Sequence, residues 1–372
     1  MRTTATPLRG AGCTCCAAPH LAPHLAPHLA SALDRRRFLA GGAALGAGAL
    51  AALRPSPAPA ETAAAGRIDV HHHFLSPVHR DVLARHRDGA ALPDWTVEGS
   101  LADMEKAGVA TAMLSVMQPG VWFGDVEEGR SLARHCNEFA AQLVRDHPGR
   151  FGMFATLPLP DTEGSLREVE HGLDVLKAGG IALLTSYAGR YLGDPAFLPV
   201  FEELNRRGAV VYVHPTTPDC CGALVKGIPP GTIEYATDTT RTISSLIFGE
   251  AGTAFKCPDV RFIWSHSGGT LPFLTGRLVR LARGRKDARM PDGPLPLLQR
   301  WNYEIAQGNT AGQLAALTKL VPVSQVMFGT DYPFVPGSDA VEGLSDYGFG
   351  DADRRAIERG NALRLLPRLK AG

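Results

Sequence analysis

The stretch RIDVHHH, from Arg67 to His73, is the first of eight similar runs in this 372-residue chain. It is a short apolar run that ends in three histidines, as expected for a strand that is buried on both faces. Successive side chains of a strand point to opposite faces, so His71 and His73 face the same way and can bind one ion. His72 then faces outward, and a slipped register that uses His72 as the ligand is the alternative.

Seven further apolar runs alternate with segments of helical period. Helices are expected at 100–107, with Ser100 as N-cap, and at 129–147, 194–207 and 351–368. Eight strands alternating with helices predict an α/β fold, a (β/α)8 barrel of the TIM type. A doubly wound open sheet is the alternative, and it is disfavoured because no Gly-rich phosphate fingerprint follows any strand. The predicted strands are 67–72, 110–116, 151–157, 180–185, 209–214, 260–265, 302–306 and 325–330.

Composition and charge limit the classes of function. The chain is 45% hydrophobic and 20% charged, which is enough to bury a full core, and its net charge is +1. No long run of one sign occurs, so nucleic-acid binding and electrostatic membrane attachment are disfavoured, and a small-molecule partner is expected. The segment 267–300 is longer than a simple connection and predicts extra helices over the C-terminal mouth of the barrel.

Residues 1–60 differ from the rest and are predicted to be a leader, with the barrel in residues 61–372. Three consecutive arginines, Arg35 to Arg37, precede Phe38, an Ala/Gly/Leu run and a small-residue site at 58–60. This arrangement resembles a twin-arginine export signal, and its apolar run is shorter than a spanning helix of roughly 20 residues. We expect export to the periplasm or the exterior, with no stable membrane insertion after cleavage. A cytoplasmic location is the alternative if the leader is a start-site artefact.

Four cysteines lie beyond the leader, at positions 136, 220, 221 and 257. No CxxC spacing is present, which disfavours a zinc-thiolate site. The adjacent residues Cys220 and Cys221 are predicted to be unbonded structural or loop cysteines, since a vicinal pair rarely bonds to itself without strain. The fold is therefore expected to need no disulfide.

Polar residues at the predicted strand ends form a candidate metal site. In a barrel of this type the C-terminal strand ends meet at one mouth, and here they carry His71, His73, His214 and Asp331. Alone, His214 suits a structural role and Asp331 a turn. Together, three histidines and one carboxylate match the ligands of one divalent ion with an open position. The nitrogen-rich set favours zinc, with manganese as the alternative.

Other residues are candidates for catalysis and substrate binding. His266 ends the sixth strand in the run SHSGG and suits a base or proton shuttle beside the ion, with a fifth ligand as the alternative. Arg277 suits a substrate carboxylate, or else a surface salt bridge. Trp122, Tyr187 and Phe334 stand in loops that are expected to shape the substrate pocket.

At these residues the chain resembles the amidohydrolase superfamily, in particular the branch typified by aminocarboxymuconate semialdehyde decarboxylase. Within that branch, the run QPGVWF from Gln118 is most similar to 6-methylsalicylate decarboxylases. The resemblance covers about residues 67–366, and its motifs are IDVHHH from Ile68, LPLPD from Leu157, VHP from Val213, SHSGG from Ser265 and GTDYPF from Gly329.

The resemblance implies roles for several of these residues. His71, His73, His214 and Asp331 correspond to the metal ligands and His266 to the catalytic histidine. Arg277 corresponds to an arginine that contacts the substrate carboxylate, sometimes across a dimer interface, and a homodimer is implied by the resemblance alone.

The implied activity is metal-dependent, non-oxidative decarboxylation of an o-hydroxybenzoate-type or unsaturated carboxylate. Protonation of the ring carbon by Asp331 or His266 would precede loss of CO2, and the sequence leaves open which residue gives the proton. The alternative is a metal-dependent hydrolase or hydratase acting on a lactone or an unsaturated dicarboxylate through water activated by the ion. An exported metal-binding protein without catalysis is the remaining alternative, and it leaves His266 without a role.

Overall fold

The computed structural model describes residues 66–86, 92–221 and 224–370. Eight strands of one sheet pair in parallel, each with its neighbours in chain order. A short antiparallel hairpin, Ser186–Tyr187 with Arg190–Tyr191, stands apart from this sheet. The eight strands are β1 (Arg67–Phe74), β2 (Val109–Val116), β3 (Phe151–Thr156), β4 (Gly180–Leu184), β5 (Val210–His214), β6 (Arg261–Trp264), β7 (Asn302–Glu304) and β8 (Val326–Met327).

The barrel closes through the residues that follow β8. The backbone N–H of Val70 donates to the carbonyl of Phe328 at 3.0 Å, and that of His73 donates to Tyr332 at 2.8 Å. These bonds join the last strand segment to β1, so the first and last strands are neighbours. The predicted (β/α)8 barrel, and each of its eight strands, is confirmed.

Helices surround the barrel. The described segments contain α1 (Pro77–His86), α2 (Val97–Ala107), α3 (Val126–Asp146), α4 (Thr162–Glu170), α5 (Leu198–Arg206), α6 (Pro230–Phe248), α7 (Thr253–Lys256), α8 (Leu271–Arg285), α9 (Leu295–Arg300), α10 (Ala311–Leu320), α11 (Gly337–Tyr347), α12 (Asp351–Arg355) and α13 (Asn361–Leu365). Single turns of 3-10 helix occur at Pro195–Phe197, His266–Gly268, Val323–Gln325 and Pro367–Lys370, and π-helical turns occur at His171–Val175 and Ala356–Gly360.

The start of α2 differs from the prediction. Thr96, not Ser100, is the N-cap, because its extended backbone lets its hydroxyl accept a hydrogen bond from Gly99. Ser100 lies inside the helix and is buried. The helix ends as expected at Gly108, which adopts a left-handed conformation with φ of 63°.

The predicted helix at 351–368 is broken into shorter pieces. A π-helical turn, Ala356–Gly360, separates α12 from α13. The carbonyl of Ile357 accepts a hydrogen bond from Phe328 N at 3.1 Å, so it serves the closing segment of the barrel. The predicted helix at 194–207 likewise begins as a 3-10 turn before α5.

The long connection 267–300 contains the two helices α8 and α9, as expected for extra helices. The start of α8 lies beside α6, since the Thr240 and Thr270 hydroxyls are 2.9 Å apart.

Large aromatic side chains such as Phe154 and Tyr212 fill the barrel interior and are at most 1% exposed. Each fully buried apolar side chain contributes about 1.5–3 kcal/mol relative to an exposed one.

The predicted leader, residues 1–60, lies outside the described residues. No helix in the described segments combines the length and the apolar character needed to cross a membrane.

Cys220 and Cys221 are joined by a disulfide, so the prediction of two unbonded cysteines is wrong. The turn closed by the Cys221 N–H and the Pro218 carbonyl, at 3.0 Å, holds this pair. Cys136 and Cys257 are buried free thiols.

Candidate metal centre

The four predicted ligands meet at the C-terminal mouth of the barrel. His71 and His73 lie on β1, His214 ends β5, and Asp331 follows β8. Their candidate ligand atoms all lie within 4.8 Å of one another, and all four residues are buried. The Oδ1 atom of Asp331 is 3.1 Å from the Nε2 atoms of both His71 and His73.

Each of the three histidines uses its Nδ1 atom for a contact outside the cluster. Such a contact fixes the ring orientation, and a carbonyl or carboxylate partner also fixes the tautomer, which leaves the Nε2 lone pair for an ion. These partners are Glu304 Oε1 for His71 at 2.9 Å, Ser115 Oγ for His73 at 3.2 Å and the Pro215 carbonyl for His214 at 2.7 Å.

The inward-facing atoms fit one divalent ion. The Nε2 atoms of His71 and His73 are 3.0 Å apart. The Nε2 atom of His214 is buried and has no hydrogen-bond partner within the described residues. Leaving a buried polar atom without a partner lowers the stability of the fold by about 1–3 kcal/mol, and a bound ion would remove this cost. Convergent imidazole nitrogens with one carboxylate are ligands of zinc-type ions. The donor set therefore suits a metal site.

The electrostatics of the cluster favour a bound cation. Although burial opposes a charge on His71, Glu304 and Asp331 raise its pKa to about 10. Burial lowers the pKa of His73, and burial together with the neighbouring imidazoles holds that of His214 well below its usual value. Although burial opposes ionisation of Asp331, the charge on His71 holds its pKa well below the usual range. A metal ion would therefore displace one proton from His71.

The structure places His266 beside this cluster. Its backbone has φ of 52°, a left-handed conformation that costs about 1–3 kcal/mol for a residue other than glycine. The backbone N–H of His266 donates to Glu304 Oε1 at 2.7 Å, which helps to hold this turn. The Nε2 atom lies 3.3 Å from Asp331 Oδ2, and Nδ1 is buried with no partner among the described residues. One ring nitrogen thus faces Asp331, and the other is left without a hydrogen bond in the part of the chain that the structure describes.

Two further residues near β7 were not identified from the sequence. Glu304 is fully buried, and its carboxylate accepts hydrogen bonds from the backbone N–H groups of His266 and Ala306. A charged residue inside the predicted buried strand NYEIA was the available signal, because a buried carboxylate needs partners. Gln307 donates its side-chain amide to Asp331 Oδ2, and nothing in the sequence pattern indicated this contact.

The mouth of the barrel also contains a cavity. It has a volume of about 500 Å³, and Trp122 and Tyr187 line it together with Gln118 and Thr216. Phe334 is 49% exposed, and its ring centroid is 5.7 Å from that of His73. The connections after β2, β4, β5 and β8 thus bring the predicted pocket residues to the mouth.

Arg277 lies elsewhere in the fold. It is an exposed residue of α8 and lines a separate groove of about 520 Å³ beside Tyr191 and Arg241. None of the four ligand residues lines this groove. Within one chain, the structure does not bring Arg277 to the metal cluster.

The barrel and its ligand set are those of a metal-dependent enzyme, with one candidate ion site among the described residues. The chain belongs to the Amidohydrolase family Amidohydro_2, whose match covers residues 68–368. The family expected from the sequence motifs is therefore confirmed.

Named relatives cover most of the chain. It is 37% identical to Decarboxylase yanB of Aspergillus niger, over 82% of this chain and 88% of that protein. It is 34% identical to the 6-methylsalicylic acid decarboxylase of Penicillium expansum, over 82% of this chain and 97% of that protein. The crystal structure of a 5-carboxyvanillate decarboxylase from Novosphingobium aromaticivorans, with bound manganese and a nitrobenzoic acid, superposes with a TM-score of 0.72. That structure is 23% identical, and the match covers 81% of this chain and 97% of the other, which supports the fold.

Proposed function

We propose that this protein is a metal-dependent, non-oxidative decarboxylase that releases CO2 from an aromatic carboxylate of the o-hydroxybenzoate type. The observation that carries the proposal is the His266 ring, which contacts Asp331 through Nε2 and has no partner at Nδ1 among the described residues. A proton-transfer group thus stands beside a site for one ion at an open mouth. The relatives named as decarboxylases support the same chemistry.

The reaction needs one proton and the cleavage of one carbon–carbon bond. A bound ion would supply positive charge to the substrate carboxylate and its neighbouring hydroxyl. The pair of Asp331 and His266, whose Oδ2 and Nε2 atoms are 3.3 Å apart, gives a proton to the ring carbon that bears the carboxylate. The bond to the carboxylate then breaks, its electron pair restores the aromatic ring, and CO2 leaves. The pair regains its proton from water.

We propose that the resident ion is zinc or manganese, with zinc favoured by the three histidine ligands His71, His73 and His214. The manganese in the related 5-carboxyvanillate decarboxylase supports the second choice. Metal analysis of protein purified without added metal, followed by reconstitution with each ion, distinguishes the two.

A CO2-release assay with metal analysis of the same preparation tests the function. The panel contains hydroxybenzoates, including 6-methylsalicylate, together with a muconate semialdehyde and lactones. We expect CO2 release in proportion to bound metal, and loss of activity by about 10²–10⁴-fold in His266→Ala with the metal retained. Lactone opening or hydration without CO2 would contradict the decarboxylase and support the hydrolytic alternative.

We propose that the protein acts as a homodimer in which α8 of one subunit brings Arg277 to the site of the other. Phe273, Arg277 and Leu281 share one face of α8 through their four-residue spacing, and Phe273 and Leu281 are 69% and 41% exposed. A guanidinium suits a carboxylate substrate, and the groove that Arg277 lines includes none of the four ligand residues of its own chain.

Mixed dimers of His266→Ala and Arg277→Ala subunits test this arrangement. If Arg277 acts across the interface, one of the two sites in each mixed dimer is complete, and activity returns when the two inactive variants are mixed. No recovery on mixing, or a fully active Arg277→Ala homodimer, would contradict the proposed role.

We also propose that residues 1–60 direct export by a twin-arginine route. The support is the run of arginines from Arg35 to Arg37 ahead of Phe38 and Leu39. A reporter fused after residue 60 should leave the cytoplasm, and changing Arg35 and Arg36 to lysine should retain it there. Retention of the unaltered fusion would contradict export.

A further inference from the structure

Gln307 occupies a constrained position at the barrel mouth. It follows β7, its side chain is exposed, and its backbone is left-handed with φ of 49°. The next residue, Gly308, lies directly against the turn that carries His266, because a Cβ atom there would lie 2.8 Å from the carbonyl carbon of His266. The hydroxyl of Ser267 donates to the Gly308 carbonyl at 2.8 Å. The loop that carries Gln307 is therefore tied to the His266 turn.

The side chain of Gln307 contacts one oxygen of a predicted ligand. Its amide donates to Oδ2 of Asp331, the oxygen that also lies 3.3 Å from Nε2 of His266. The other oxygen, Oδ1, faces the Nε2 atoms of His71 and His73 at 3.1 Å. The two oxygens of this carboxylate thus have separate partners.

A carboxylate turns broadly about its terminal bond unless donors fix it. Because Gln307 and His266 both contact Oδ2, rotation of Asp331 would break two contacts at once. Gln307 carries no charge and does not titrate, so its amide remains a donor at every pH at which the protein is folded.

We propose that Gln307 is a positioning residue that holds Asp331 with Oδ1 toward the metal site and Oδ2 toward His266. The proposal rests on the metal site of the proposed function but not on the reaction catalysed there. Groups that orient metal ligands typically contribute about 10–100-fold to metal affinity.

Metal affinity measured by competition with a chromogenic chelator tests the role of Gln307. We expect Gln307→Leu, which keeps a similar size but lacks the amide donor, to bind zinc about 10–100-fold more weakly than the unaltered protein. The visible spectrum of the cobalt-loaded variant should also change, since it reports the arrangement of the ligands. The melting temperature of the metal-free protein should fall by no more than about a few degrees, because the exposed side chain contributes one hydrogen bond to the folded state.

Gln142→Leu is the matched control. Gln142 is the same residue type on α3, and its side-chain amide donates to the exposed carboxylate of Asp146 at 2.6 Å, with no contact to Asp331 among the described hydrogen bonds. We expect this variant to keep its zinc affinity and cobalt spectrum. Unchanged affinity and spectrum in Gln307→Leu, or equal losses in both variants, would overturn the proposal. Neither result depends on whether the protein releases CO2, so failure here is distinct from failure of the proposed function.

Discussion

His72 and His73 are neighbours of one residue type on β1, and they lie in opposite environments. Both ring nitrogens of His72 have partners, Asp69 Oδ2 at 2.9 Å and Ser100 Oγ at 2.6 Å, and its ring stacks on Tyr332. His73 faces the barrel interior, where its Nε2 atom lies 3.0 Å from Nε2 of His71 and 3.1 Å from Oδ1 of Asp331.

The contrast shows that the identity of the partners, not burial, separates a structural histidine from a candidate ligand: His72 contacts groups outside the cluster at both nitrogens, whereas Nε2 of His73 faces the other candidate ligands. Both residues are at most 1% exposed, so burial alone does not distinguish them. The outward-facing ring of His72 links β1 to α2 through Ser100. The inward-facing rings of His71 and His73 bring their Nε2 atoms within 3.0 Å of each other, which suits a bound ion. The alternation of side chains along one strand creates this division.

Removing an inward ligand should have the largest effect. We expect His71→Ala to lose its bound metal and to lower CO2 release by about 10³-fold or more, because an ion contributes several kcal/mol to charge stabilisation. Metal analysis and the CO2 assay measure both effects. A His71→Ala protein that retains its full metal content would refute the ligand assignment.

The proton on His71, one of the two inward-facing histidines of β1, should make metal affinity depend on pH. Because carboxylates raise the pKa of His71 to about 10, its ring carries a proton at pH 7, and the ion must displace it. Affinity should therefore rise about tenfold per pH unit between pH 7 and 8, and it should fall as the pH falls. Calorimetry in buffers of different ionisation enthalpy should detect about one released proton. Binding without proton release would show that His71 is neutral in the metal-free protein.

Removing the outward ring should alter stability rather than chemistry. We expect His72→Ala to lower the free energy of unfolding by about 2–3 kcal/mol, since it leaves the buried groups of Asp69 and Ser100 each with one partner fewer. Urea unfolding measures the loss, and metal content per folded chain should be unchanged. Selective loss of metal with unchanged stability would support the slipped register.

Replacing Ser100, the partner of His72 on α2, should have the smallest effect on stability. Ser100→Ala removes one hydroxyl that lies 2.6 Å from Nε2 of His72, and we expect a loss of about 1 kcal/mol in unfolding free energy. The same urea experiment measures it, with turnover of the metal-loaded protein as the control. A change in turnover larger than the change in stability would mean that the outward face communicates with the reaction.

Much of this arrangement was predictable because it depends on local periodicity. Apolar runs located all eight strands, and the alternation within RIDVHHH separated His71 and His73 from His72. The ends of parallel strands meet at one mouth, so His214 and Asp331 could be placed beside them without knowledge of any distance.

Features that depend on tertiary contacts were not predictable in the same way. Ser100 resembled an N-cap, but Thr96 caps α2, and the Ser100 hydroxyl inside the helix contacts His72 on β1. Gln307 contacts Asp331 only because the loops after β7 and β8 are neighbours in space. The outer location of Arg277 likewise depends on how α8 packs against α6.

The closure of the barrel determines when, during synthesis of the chain, the candidate metal site can form. Asp331 donates its backbone N–H to the carbonyl of His71 at 2.8 Å, so one bond joins the first strand to the segment that follows the last. A chain truncated before residue 331 would lack both the hydrogen bonds that close the barrel against β1 and the fourth candidate ligand. The candidate site with all four ligands can therefore form only after residue 331 has been synthesised and the closing segment has paired with β1.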